Sequence, residues 1–224
     1  MNNILLFISI ISTFTIMLII KKYLGKEGLI GWICIASILA NLILTKSVDL
    51  LGMSATLGNV LFASVFLANN MLIENYGYGE AKKGVKLGLL SVIMFVVVMQ
   101  FALLYIPNTQ DIAHGSFQLL FEFIPRIALA SIILFGFANF LSIKIYEGLR
   151  KITKGKYMWF RNNICTIICN GGENFLFYII AFLGVIDMNI IVTMAISATL
   201  IEVLIALCDT PFLYLSKRVK DVKQ

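Results

Sequence analysis

Charge is what this chain has least of. Only 13% of its 224 residues are Asp, Glu, Lys or Arg, while 60% are hydrophobic and the mean hydropathy is +0.94. Soluble domains are about 45–50% apolar, so an ordinary water-facing surface is excluded. Histidine occurs once, at His114, and that leaves the four cysteines without a metal-binding companion. Cys165 and Cys169 share a helix face at i, i+4; with Cys34 and Cys208 they read as small, polarizable packing residues. No G-x-x-x-x-G-K-[ST] loop is present, nor an H-E-x-x-H or G-x-S-x-G motif, so P-loop nucleotide hydrolysis and the common hydrolytic sites are excluded. No enzyme, cofactor or metal is expected.

Seven apolar stretches fill the chain: 3–20, 28–45, 55–75, 86–106, 117–143, 162–185 and 188–215. Each approaches the roughly 20 residues that a helix needs to cross about 30 Å of hydrocarbon. The fold class expected is all-α, a polytopic membrane helical bundle of about seven helices in one domain, residues 1–224. The runs are continuous rather than alternating, which argues against a β-barrel. Before the first run stand only Met1, Asn2 and Asn3, and no small-x-small site follows Ile20, so that run reads as a retained helix rather than a signal peptide.

Sixteen of the eighteen basic residues fall in alternate connections and the tail: Lys21, Lys22 and Lys26; Lys82, Lys83 and Lys86; Lys144 to Arg161; Lys217 to Lys223. The intervening connections 46–54, 107–116 and 186–187 hold only Lys46. The positive-inside rule then places the N-terminus outside and the C-terminus in the cytoplasm, as seven crossings require. The net charge of +6 thus reads as contact with anionic lipid headgroups and not with nucleic acid.

Against this background the polar residues stand out. Asn170, Gly171, Gly172, Glu173 and Asn174 interrupt the run Ile164–Val185. A carboxylate at the centre of a spanning helix costs roughly 2.5–3.5 kcal/mol, and each glycine weakens the helix by about 1 kcal/mol. The sixth helix is therefore expected to break or make a tight contact there, turning Glu173 inward. Glu202, near the middle of the seventh stretch, adds a second carboxylate at similar depth, and the two must be protonated, paired or wetted. Glu122 and Arg126 stand at i, i+4 around Pro125; they either neutralise each other along one face or free Arg126 to fork a substrate carbonyl. Asn69, Asn70 and Glu74 lie in the third stretch, Asn139 in the fifth, and Asp209-Thr210-Pro211 near the end of the seventh. Asn41, Asn59 and Gln100 read as interhelical glue. The alanines of Ala36-Ser37-Ile38-Leu39-Ala40 form a small-x-x-x-small face suited to close helix contact.

At these positions the chain resembles the queuosine precursor transporter family, small membrane proteins also described as a vitamin-uptake family related to the substrate-binding components of energy-coupling-factor transporters. The resemblance runs over nearly the whole chain. It rests on Leu67–Gly77 with Ala81 and Lys82, Pro125–Ser131, Lys154-Gly155-Lys156 with Trp159, Arg161 and Asn162, Ile180–Gly184, and Asp209–Tyr214. Its departures fall on polar positions. Asn69-Asn70 stands for Thr-Asp, Ala138-Asn139 with Ser142 for Ser-Gln and Asp, Cys169-Asn170-Gly171-Gly172-Glu173-Asn174 for Ser-Gln-x-x-Asp-Thr, and Glu202 for a Lys; Arg126 is retained.

The resemblance implies a bacterial multi-pass plasma-membrane importer of a 7-deazaguanine base salvaged for tRNA modification. The expected partners are that small molecule and the lipid bilayer. Assembly of copies, or a separate ATP-driven module that energises this chain as a binding subunit, stays open; such a module would use the small face of the second stretch. Glu173 suits the base's donor edge, Arg126 or an amide of Asn70, Asn139, Asn170 or Asn174 its carbonyl, and Phe66, Phe121 or Phe177 its flat face. Glu202 and Glu122 complete the candidate site. Loss of the family's aspartates at Asn70 and Ser142 leaves a primary ammonium without those partners, so queuine is expected over the aminomethyl precursor.

Overall fold

A computed structural model describes residues 1–44, 46–121, 124–184 and 186–222, with the side chains of 54, 124–131 and 181 outside that description. Among the described residues the chain is helical apart from one hairpin. The order is α1 (Asn2–Ile43), β1 (Ser47–Leu50), β2 (Met53–Thr56), α2 (Asn59–Tyr76), α3 (Tyr78–Leu104), α4 (His114–Phe121), α5 (Ile124–Ile152), α6 (Met158–Phe182) and α7 (Met188–Arg218).

α1 contains two of the expected stretches. Gly25, at φ 58° and ψ −137°, divides it, a conformation that a residue with a Cβ rarely adopts. The arms run antiparallel. Asn2 and Asn3 hydrogen-bond to Asp49 and Leu51 in the hairpin that follows the second arm, whereas Lys21 and Lys22 beside the break bond to the C-terminal tail. The bundle therefore has a hairpin end and a tail end. The first arm belongs to the core: Leu6, Ile10, Phe14 and Met17 recur at helical spacing and are buried, with Phe14 edge-on to Phe212 of α7.

Three boundaries differ from the sequence reading. Connection 46–54 forms most of a two-stranded antiparallel hairpin, Ser47 paired with Thr56 and Leu50 with Met53, and α2 starts only at Asn59. Positive φ at Leu51 and Gly52 matches the turn whose twist suits a two-residue hairpin loop. The fifth stretch is described as two helices, α4 and α5, with residues 122 and 123 between them outside the description. α6, finally, runs unbroken through Gly171 and Gly172.

Four helices are long and apolar enough to cross a membrane: α1, α3, the 132–152 part of α5, and α7. Among the described residues α2 and α6 do not belong to that set; α2 carries Asn69, Asn70 and Glu74, and α6 carries Asn170, Glu173 and Asn174. Between lipid-facing helices packing replaces water exclusion as the cohesive force. α3 meets the second arm of α1 across glycines, where a Cβ at Gly88 would come within 2.7 Å of Ile33 Cγ2 and one at Gly84 within 2.9 Å of its Cδ1. Ala36 and Ala40 are likewise buried inside the chain. Their small-residue face is thus occupied by the bundle itself and is not on offer to a partner, contrary to the expectation of a docking face.

Candidate functional site

A narrow cavity with about 40 Å³ of free volume lies in the half of the bundle nearer the hairpin, well below the roughly 300–1,000 Å³ usual for small-molecule sites. Leu44 at the end of α1 and Asn59 at the start of α2 mark its mouth. Phe62 and Phe66 of α2, Phe135 of α5, Glu173, Asn174, Phe177 and Tyr178 of α6, and Glu202 of α7 complete it. Aromatic walls with a few polar groups at one side match a flat, polar molecule in chemistry, but the walls must part to admit one larger than water.

The local sequence explains how these side chains converge. Glu173, Asn174, Phe177 and Tyr178 are three or four apart, so a straight α6 carries them on one face; the helix needs no break to turn Glu173 inward. Gly171 faces α7, where an added Cβ would meet Thr199 Cγ2 at an ordinary 3.5 Å, and Gly172 has open space. The glycines thus make neither the break nor the tight contact expected of them. Phe177 and Tyr178 are fixed by their own T-shaped contact at 5.5 Å and by Tyr178 stacking on Phe182 at 6.0 Å. Phe62 precedes Phe66 by one turn, placing two rings on the opposite wall.

The two carboxylates are held differently. Glu202 is 5% exposed and accepts a hydrogen bond from Asn174 Nδ2 at 2.9 Å; Asn174 in turn lies 3.4 Å from Thr199 Oγ1. Glu173 makes no hydrogen bond or ion pair among the described residues. Asn170, one turn earlier on α6, is 2% exposed and faces the Glu202 carboxylate. At the mouth, Asn59 Oδ1 accepts from Thr56 Oγ1 at 2.7 Å while its Nδ2 is unbonded. A free acceptor, a braced acceptor and an unpaired donor thus share one aromatic-walled space. A ligand that offers two donors and a carbonyl could meet them together.

Of the sequence candidates, the cavity gathers Glu173, Asn174, Glu202, Phe66 and Phe177, with Asn170 beside them. It does not gather Asn139, which is spent on Asn69 Nδ2 at 2.8 Å and the Phe135 carbonyl at 2.9 Å. Asn70 is spent on Asn162 at 2.8 Å. Phe121 ends the described part of α4 against Phe95 and Phe117, away from the cavity, because α4 packs on α3. Glu122 lies outside the described residues, as does the side chain of Arg126. Phe62, Phe135, Tyr178 and Asn59 were missed as site residues. The i, i+4 spacing of Phe62 to Phe66 and of Asn174 to Tyr178 was the available signal for two of them. Asn59 is not interhelical glue, nor is Asn41, which bonds back to Ser37 in its own helix; Gln100 does reach another helix, at the Phe121 carbonyl.

The tail end is built in the opposite way. Glu74 of α2 bonds Arg161 of α6, Lys217 of α7 at 2.6 Å and the Tyr146 hydroxyl of α5 at 3.1 Å, with Arg150 at 4.0 Å. Arg161 also sits 5.5 Å over the Tyr146 ring and reaches Thr153 and the Lys156 carbonyl. One carboxylate thereby ties four helices together. Beyond the spans, Asp221 of the tail accepts from Lys21 at 3.0 Å and from Tyr76 at 2.7 Å. Partial burial pushes its carboxyl up, but those two hydrogen bonds outweigh burial and hold it below its ordinary value.

Comparison with known proteins agrees with this architecture. Residues 56–216 match the family described as "Putative vitamin uptake transporter". A protein of Bacillus subtilis (strain 168) named "Probable queuosine precursor transporter" is 36% identical over 219 residues, 97% of this chain and 95% of the relative. No solved structure matches.

Proposed function

The chain belongs to the vitamin uptake transporter family, and on that premise we propose that it imports a queuosine precursor, a 7-deazaguanine base, into the bacterial cell. It is a transporter and not an enzyme. The observation that carries the ligand class is Glu173, a carboxylate without a partner among the described residues, lining an aromatic-walled cavity. It would accept the ring N–H and exocyclic amine in parallel, while Asn59 Nδ2 donates to the ring carbonyl and Phe66 or Phe177 covers the face. Between the precursors we take queuine over the aminomethyl base, because Asn70 and Ser142 offer a primary ammonium no charge. The geometry adds no support to that choice: Asn70 is spent on Asn162, and Ser142 lies 3.2 Å from Cys165 Sγ.

We place seven crossings in the membrane, with the N-terminus and hairpin outside and the tail in the cytoplasm. The bonding of Lys21, Lys22 and Lys217 at the tail end, and of Asn2, Asn3 and Asp49 at the other, supports that orientation. The cavity then lies in the outer half, with the Glu74 cluster on the cytoplasmic side. Uptake of radiolabelled queuine by cells unable to make the base tests the function. Expression should confer uptake, with unlabelled queuine competing better than the aminomethyl compound. Equal competition would remove the preference, and no uptake of either base would remove the ligand class.

A further inference from the structure

Asp209 is the buried carboxylate that ligand recognition does not use. It is 2% exposed, two turns beyond Glu202 on the same face of α7, which puts it about 10 Å deeper along the helix. Asn162 of α6, itself fully buried, donates its Nδ2 to Asp209 Oδ1 at 2.6 Å and also lies 3.3 Å from Thr210 Oγ1. Asn70 of α2, 1% exposed, donates to Asn162 Oδ1 at 2.8 Å and leaves its own Oδ1 unbonded. An amide chain from two helices thus ends on a carboxylate that has no cationic partner among the described residues.

The charged groups on the surrounding helices are engaged elsewhere. Arg161 of α6 and Lys217 of α7 serve Glu74 of α2, and Lys21 of α1 serves Asp221 and the Val219 carbonyl. The remaining titratable neighbour, Cys208, is uncharged as a thiol. A charged carboxylate in hydrocarbon is costly, and Asp209 has only an amide donor among the described residues; a proton from solution would neutralise it. A metal ion is a poor match: the nearest polar contact is an N–H pointed at the carboxylate, which donates as well to a carboxylic acid but would oppose a cation. Pro211, two residues on, lacks the N–H that would bind the carbonyl at 207, a built-in soft point in α7.

Resting on the reading of the chain as an importer, we propose that Asp209 is its proton-coupling site. It takes a proton from the outside and releases it inside as α7 bends at Pro211, so that inward movement of the base is paid by the proton gradient. Two measurements test this. In the first, infrared difference spectra of full-length protein in liposomes should show a protonated carboxylic C=O band that titrates with pH and is missing from Asp209→Asn. Absence of that band in the wild type overturns the proposal whether or not the protein transports. In the second, purified protein in liposomes with an acidic exterior should concentrate radiolabelled queuine at least tenfold, and Asp209→Asn should bring the ratio to one. Passive equilibration of queuine by the wild type, indifferent to the pH gradient or driven by sodium instead, overturns the coupling and leaves the importer reading intact.

Discussion

The two ends of this bundle place polar groups in the membrane for opposite purposes. At the tail end Glu74, Arg161, Tyr146 and Lys217 bond one another across four helices, with Arg161 Nε the donor left over. At the hairpin end Glu173 and the Asn59 amide nitrogen have no partner among the described residues, and aromatic rings stand around them. Hydrocarbon penalises an unmet polar atom more than water does, so the first arrangement is a lock and the second is a vacancy for a ligand. The same few residue types serve both, and what differs is whether the protein supplies the partner.

The largest effect should come from breaking the lock. Glu74→Ala leaves Arg161, which has no solvent exposure, without its counter-ion. Removing one partner of a buried pair costs about 3–5 kcal/mol, so thermal unfolding in detergent should move to markedly lower temperature. An unchanged midpoint would mean that the cluster ties nothing.

Gly172 probes the other end. The helix is continuous there and an added Cβ meets nothing within 4 Å, so Gly172→Ala should stabilise α6 by up to about 1 kcal/mol and preserve uptake. Loss of uptake with intact folding would show that α6 does open at the glycines during transport.

The smallest effect concerns the tail. The Asp221 carboxyl is held below its ordinary value by Tyr76 and Lys21, so its contribution exists above the unfolded carboxylate range and fades as pH falls through the lowered value. Such a partly exposed pair is worth about 1 kcal/mol at most. The unfolding midpoints of wild type and Asp221→Asn should differ slightly at neutral pH and merge in acid; a difference that grew in acid would contradict the linkage.

The sequence revealed the helical bundle because long apolar runs and alternating Lys and Arg connections are properties of composition. It singled out Glu173, Asn174, Glu202, Phe66 and Phe177, which line one cavity, because their residue types are costly or bulky at helical spacing. It missed the hairpin, whose ten residues, 47–56, are too few to show a period, and it misread the glycines, since a helix with neighbours to pack on tolerates them. It also could not separate lock from vacancy. Asn70 and Asn174 are the same residue type in similar surroundings, and only the facing helix shows that one binds Asn162 while the other braces Glu202.

The central claim is that Glu173 is left unpaired for the ligand. Calorimetric titration of purified protein with queuine, wild type against Glu173→Gln, tests it most directly. One of two N–H bonds to a charged acceptor is lost, worth about 1.5–3 kcal/mol, so affinity should fall at least about tenfold. Equal affinity in the two proteins would take Glu173 out of the site and contradict the account.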